Sequence, residues 1–531
     1  MTDVSAADRH EKSKALYELG KFSDALIEID AAINLDPDNP RYHYDRGLIL
    51  HELKGLDEAV REYNTAIKLD PNNSNFHYEK ARALDELGQF DDAVKEFNEA
   101  IGLDPNNPEY HNSKGIRLRR IGKLEDAVKE YDTALQLDQN NPDYHYNKGL
   151  VLSALGKFED AVNEFDAAIR LDPKNAGYHN TKANRLCELK RFDEAVKEYE
   201  IATSLEPNKP DFHYNKGLAF ADLGNFLEAL KEFDTALRLN PDNADYHYDK
   251  AHALEDLKRT DEANRELDKA IQLDPKRPDY HYSKGFALEE LGMFEAALRE
   301  YGAAIQLDSN DPAYHYSKGA ILDELKRLDE AVREYDAAIK LEPDNPDFHF
   351  SKGWDLGSLR KFNAAMKEFE VAIRLDPDKA EYHDGMGEAL FTLGMLEEAL
   401  KEFNVAVHLN PDEPDYQRNR QMAIEELERN RDTARIEMEH RVREAENRAE
   451  RVRLQYERRL RTLGKGSLEA IDPYVLLGVS QTASYAEVKR ARLRLVTIYH
   501  PDMSRNPDSA RIFEAIQTAY EKIVKEHPEW R

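Results

Sequence analysis

Cysteine occurs once in 531 residues, at Cys187. That excludes a disulfide framework and any cysteine-rich zinc module, and it fits a reducing compartment. Long apolar runs are missing too: no stretch approaches the ~18 residues of a membrane helix, and the opening MTDVSAADRHEKSK has none at all. Neither a membrane span nor a secretory signal is therefore expected, and the cytoplasm is the default location. Positive charge is scarce, 75 Lys+Arg against 105 Asp+Glu, and the deficit is uneven. Residues 431–531 hold 20 basic against 16 acidic residues, a net of +4, which leaves −34 for residues 1–430. So acidic a body repels nucleic acid and anionic membrane, and neither is expected as a partner. A phosphate-binding glycine loop and a nucleophile setting are also lacking. No enzymatic activity and no cofactor is expected.

What is present is one unit repeated twelve times with a period of 34 and no insertion. Asp36-Pro37 returns as Asp70-Pro71, Asp104-Pro105 and so on to Asn410-Pro411, with Asp138-Gln139 and Asp308-Ser309 filling the gaps. Each unit reads as two helices, such as 142–155 and 158–171, separated by a position that is Gly in seven copies and Lys or Arg in five. Gly suits the left-handed residue just past a helix end, and the Asp-Pro step stops the second helix. Two series are Ala in all twelve copies, Ala25 to Ala399 and Ala32 to Ala406; a third is Gly or Ala from Gly47 to Gly387. Small residues let helix backbones approach, and one unit cannot bury its own apolar face. The units must stack into a solenoid.

This pattern resembles the tetratricopeptide repeat: Gly or Ala at position 8, Ala at 20 and 27, an aromatic at 24 (Tyr63, Phe97, Tyr131, Phe165, Tyr199, Phe233) and Pro at 32. The match covers roughly residues 6–411. Position 4, often Trp in that family, is His here, from His43 to His383. Each His stands alone on its repeat, too far from the next to share an ion with bonds near 2 Å, so helix packing is expected and no metal. Position 5 is Tyr44, Tyr78, Tyr146, Tyr214, Tyr248, Tyr282, Tyr316 and Phe350 in most copies. The resemblance implies that this position faces the concave groove. The ring ladder is then either a platform for a polypeptide client or padding between neighbouring first helices. Some relatives grip an acidic tail with a clamp of Lys, Asn and Arg. Here Asn147 and Asn184 are isolated, and Asp222, Asp256, Glu290 and Glu324 would repel a carboxylate, so a clamp is not expected.

After Pro411 the beat fails: Gln417 and Gln421 replace His and Gly. Residues 412–463 read as a charged helix of about fifty residues, roughly 75 Å long. Met438, Val442, Ala445, Ala449, Val452 and Tyr456 form a heptad-like stripe. A solvated spacer whose first turns cap the last repeat is the expectation, with dimerisation through the stripe as the alternative. The chain is thus expected as monomer or dimer. Leu463-Gly464-Lys465-Gly466-Ser467 reads as a break, with a hinge over 464–471.

Residues 472–531 form the last domain. Asp472-Pro473 opens a short helix ended by Gly478. Ser484 and Glu487 have capping-box spacing, and Val488, Ala491, Leu495 and Ile498 mark one apolar face of the helix that follows. Lys489, Arg490, Arg492 and Arg494 lie mostly off that face. Pro501 disfavours helix at His500, which makes His500-Pro501-Asp502 a corner. Asn506-Pro507 starts a further helix bearing Ile512, Phe513, Ile516, Ala519, Tyr520 and Ile523 on one face. DPYVLLGV, the basic helix ending in YHPD, and Phe513 with Ala519-Tyr520 together resemble the J-domain of DnaJ co-chaperones. The usual fourth helix is reduced to KEHPEWR. The resemblance implies a partner, a DnaK-type (heat-shock-70) chaperone whose ATP hydrolysis is triggered by His500, Pro501 and Asp502, with Lys489, Arg490, Arg492 and Arg494 as docking face. The Gly/Phe-rich segment and Cys-x-x-Cys zinc region of DnaJ-like forms are missing, so another module, the solenoid, would choose the client. The alternative is an assembly scaffold that recruits the chaperone to one folded partner. The expected fold is all-α: a tetratricopeptide-repeat superhelical solenoid, a long charged helix and a small helical J-domain.

Overall fold

The computed structural model describes residues 5–462, 468–503 and 508–530, apart from the side chains at 449, 453, 456, 457, 459–462 and 469. Every regular element among the described residues is helical. The chain forms two compact units, residues 1–343 and 344–531. The first holds ten helix pairs, from Ala6 to Leu341. The second holds two more pairs, the long helix Pro414–Thr462, and a small helical domain.

The repeat follows from a few local signals. In the fifth copy the Asn141 side chain accepts from the Asp143 N–H and Pro142 occupies the first turn, so the helix Pro142–Ala154 starts there. Gly156 turns left-handed at φ 73°, and Phe158–Leu171 returns antiparallel until Asp172 leaves helical geometry. Lys54, Lys190, Lys258, Lys326 and Arg360 take the same turn at φ 56–63°. These are the five copies without Gly, so the bond pattern of the turn overrides the side-chain preference there. Both invariant Ala series are wholly buried. Position 8 is small for a definite reason: a Cβ on Gly149 would lie 2.6 Å from Phe165 Cε1, and on Gly47 2.5 Å from Tyr63 Cε1. Where position 8 is glycine, it is the seat of its own repeat's position-24 ring.

In the second unit the long helix starts as a thirteenth first helix. Tyr416 is buried, Gln417 Nε2 donates to the Pro411 carbonyl at 2.6 Å, and Ala423 packs with Leu390, Ala399 and Phe403. Farther on it is solvated, with Met438 64% and Val442 50% exposed. The side chains of Ala449 and Tyr456 lie outside the described residues, as do Leu463 to Ser467 of the expected break.

The small domain is built by its caps. Asp472 accepts from the N–H groups of Tyr474 and Val475 to start Pro473–Leu477, and Gly478 ends it at φ 72°. Ser484 and Glu487 form the expected capping box at the head of Tyr485–Tyr499. The third helix is Ser509–Glu526; Asn506 and Pro507 lie outside the described residues. Leu476, Leu477, Val488, Leu495, Tyr499, Ile512, Ile516 and Ile523 make one core. KEHPEWR ends in a 3-10 turn, where Trp530 stacks on His527 at 4.0 Å and faces Tyr485.

Candidate functional site

Two places in the fold carry the residues singled out above. Along the repeats, the position-5 rings are inter-repeat joints. Tyr78 stacks on Tyr110 at 4.8 Å and Tyr214 on Tyr246 at 4.5 Å, while Tyr146 lies tilted against Tyr178 at 4.9 Å, Tyr248 against Tyr280 at 4.9 Å and Tyr282 against Tyr314 at 5.0 Å. Tyr44 meets Phe76 and Phe350 meets Tyr382 in the same way. Seven of the rings also face their own repeat's position-24 ring at 5.6–6.0 Å, Tyr316 through Tyr335. Several hydroxyls reach the next first helix, as Tyr78 to Ser113 at 3.2 Å and Tyr214 to Asp249 at 2.5 Å. Burial pushes the Tyr214 phenol well above its ordinary range, and the bond to Asp249 adds to it. Tyr44 is buried and the others half-buried. These contacts pad neighbouring first helices, and the half-buried rings remain candidates for holding a polypeptide.

The position-4 histidines make a contact that spacing alone did not reveal. In all eleven copies from His43 to His383, Nδ1 lies 2.6–2.8 Å from Oε2 of the Glu nineteen residues on. In ten of them the other oxygen of that Glu takes Arg46 or the Lys three residues after the His, at 2.5–3.0 Å. Lys148, Lys182, Lys250 and Lys284 reach one further acid in the preceding repeat, Asp132, Asp166, Asp234 and Asp268. Repeat one builds the same motif with Arg9, Lys12 and Glu28. At Glu266 burial works toward a higher pKa, but the bonds from His247 and Lys250 win and hold it at about 2. In the last copy Met386 replaces the Lys, and the bond to Glu402 raises the His383 pKa. The Glu column was the available signal, since it repeats in all twelve copies.

The clamp positions offer no cation trap. Asn147 donates to Asn112, Asn184 accepts from Tyr199, and Asp222, Asp256, Glu290 and Glu324 stand exposed. Cys187 is half-buried, and burial raises its thiol pKa, so it is not a poised nucleophile.

At the other place, the helix Tyr485–Tyr499 ends with His500 extended at φ −58°, ψ 128°. The His500 ring meets Phe513 edge-on at 5.4 Å, which braces the corner against the third helix. Its Nδ1 lies 3.4 Å from the Asp502 N–H and 3.7 Å from the Asp502 carboxylate. The Asp502 side chain is 85% exposed, so the corner presents an acid and an imidazole edge outward. Lys489, Arg490 and Arg494 are exposed beside Leu493, which is itself 62% exposed. Arg492 departs from them. Its Nε donates to Gln517 at 2.9 Å and its guanidinium lies 4.7 Å above Tyr520, so it clips the two long helices together.

Comparison with known proteins falls on the same two places. Tetratricopeptide-repeat family models match residues 10–74, 50–115, 115–156, 142–175, 183–224, 214–278, 248–312, 319–357 and 350–414. The DnaJ domain model matches 472–528. DnaJ homolog 1, mitochondrial, of Saccharomyces cerevisiae is 42% identical over 55 residues, 10% of this chain and 11% of that protein. Chaperone protein DnaJ of Geobacillus stearothermophilus is 46% identical over 52 residues, 10% and 14%. The chain thus spans only a small part of these relatives' length. Among solved structures, yeast Tom70 aligns at 20% identity with a TM-score of 0.33, over 80% of this chain and 96% of that one. With two recognised modules and no strand among the described residues, the chain is a tetratricopeptide-repeat protein that carries a DnaJ domain.

Proposed function

We propose that the chain is a co-chaperone: its repeats hold a client or partner polypeptide, and its DnaJ domain accelerates ATP hydrolysis by a DnaK-type (heat-shock-70) chaperone. The observation that carries this is the corner His500-Pro501-Asp502, braced by Phe513 and standing beside the exposed cations Lys489, Arg490 and Arg494. Exposed like charge on one helix face steers an acidic partner onto it and sets the encounter rate. Arg492 acts in this reading as a positioning residue through Gln517 and Tyr520. The chain itself performs no bond-making step; it presents a docking surface and a trigger.

Single-turnover ATP hydrolysis by a purified DnaK-type chaperone tests this. The intact chain should accelerate hydrolysis several-fold and His500→Gln should not; no acceleration by the wild type refutes the reading. A second reading, an assembly scaffold for one folded partner, gains from the ladder rings being engaged in stacking between repeats. Suppressed aggregation of several unrelated unfolded proteins favours the first; selective capture of one folded protein favours the second.

A further inference from the structure

Repeats eleven and twelve differ from the other copies at three neighbouring, variable positions. Trp354 is one of only two tryptophans in the chain. It lies on the first helix Pro346–Ser358, 43% exposed, with its ring 6.1 Å from Phe350. Gly357 follows one turn later, where the preceding repeat has Asp323, and a Cβ there would meet nothing within 4 Å. On the facing helix Ala380–Thr392, Gly385 stands where the preceding repeats have Ser351 and Ser317. A Cβ on Gly385 would press on Phe369 at 3.1 Å and Phe350 at 3.3 Å. Trp354, Gly357, Gly385, Glu388 and Thr392 are among the residues that line a cavity of about 210 Å³.

The electrostatics of this cavity are one-sided. Glu388 accepts one hydrogen bond, at 3.2 Å from Asn419 Nδ2, and the same amide serves Asp384 at 3.1 Å. A basic group that acts on both acids, Arg418, is already paired with Asp415 at 2.6 Å. Burial raises both carboxyls, Asp384 to about 6, which is the mark of acids lacking a cation. The cavity is smaller than the ~300–1,000 Å³ of small-molecule sites and matches one long side chain.

We propose that this pocket is a subsite for an arginine side chain of a bound polypeptide, with the guanidinium lying on the Trp354 indole and facing Glu388. A planar guanidinium stacks on an indole and pairs with a carboxylate at once, which an ammonium does less well. The proposal rests on the reading that the repeats hold polypeptide, and it names what that polypeptide must offer here. It is the opposite of a carboxylate clamp.

The test uses the full chain with Trp530→Phe, so that Trp354 is the sole tryptophan and is excited selectively at the red edge of its absorption, titrated with the peptide acetyl-Leu-Arg-Leu-amide, its Gln counterpart and its Lys counterpart. The Arg peptide should quench or shift Trp354 emission, bind at least tenfold more tightly than the Gln peptide, and weaken with salt. Glu388→Gln should remove the preference. Gly357→Leu, which fills the cavity from a wall with open space, should remove it while leaving the charge in place. Equal affinity for Arg and Gln peptides, or an unchanged preference in Glu388→Gln, overturns the proposal. A flat response in every titration also overturns it, whether the pocket is empty or filled by the chain's own arginines. Binding of a reduced, unfolded protein by the same chain is measured in parallel. If that binding persists while the Arg preference is missing, only the subsite fails; if it is missing too, the polypeptide-holding reading fails with it.

Discussion

A single glutamate per repeat shows how side chains nineteen and sixteen residues apart hold two helices in register. Glu266 accepts from His247 at 2.6 Å and from Lys250 at 2.9 Å, and its pKa of about 2 lies below the ordinary 4.5. A depressed folded-state pKa means stability that is fully present above about 4.5 and lost as pH falls through about 2. Because the Glu266 side chain keeps 12% of its surface in solvent, screening limits the gain, and Glu266→Gln should cost about 1–2 kcal/mol at pH 7. Urea unfolding of wild type and variant from pH 7 down to pH 2 checks this: the gap should be constant at neutral pH and close toward pH 2. A gap that widens in acid contradicts it. Such contacts were half legible. The histidine column invites a metal reading, which its spacing rejects, but its partner sits on another helix and only the fold brings the pair together. On the small domain Arg492 lies off the apolar face by its spacing, while the Gln517 and Tyr520 side chains opposite draw it inward.

The helix pair is the element in which the sequence speaks most directly, because its signals are local. The Asn-Pro start, the left-handed turn and the Asp-Pro stop each act within a few residues, and so the period, the helix type and the helix ends could all be read in advance. Which ring meets which glycine could not, since that depends on how two helices cross. The structure seats Phe165 on Gly149, while Ala251 clusters with the smaller Leu267 and Ala81 and Ala183 cluster with Phe97 and Tyr199 through other adjustments of the crossing. Overpacking costs about 1–3 kcal/mol and alanine regains about 1 kcal/mol of helix propensity. Gly149→Ala should therefore destabilise its repeat by about 1 kcal/mol, and Phe165→Leu added to it should recover part of the loss. Hydrogen exchange of the helix 142–154 reads this locally, which suits an array whose stability is a sum over neighbours. Additive losses in the double variant would contradict the pairing. The ladder rings were legible as a column, but their stacking on the rings of the next repeat follows from superposed helices and not from any one repeat.

Across the whole molecule, charge separates two tasks: a body of net −34 over residues 1–430 and a basic remainder of +4. In the function we propose, the repeats choose what is held, and the corner at His500 acts on the partner without choosing. We propose that one chain does both in sequence. The most direct measurement of this is the transfer of a fluorescent, unfolded protein from the full chain to a DnaK-type chaperone, followed by stopped-flow after ATP is added. Wild type should hand over the client within the time of one accelerated hydrolysis, whereas His500→Gln should bind it with unchanged affinity and keep it. Equal transfer rates for the two proteins would contradict the account.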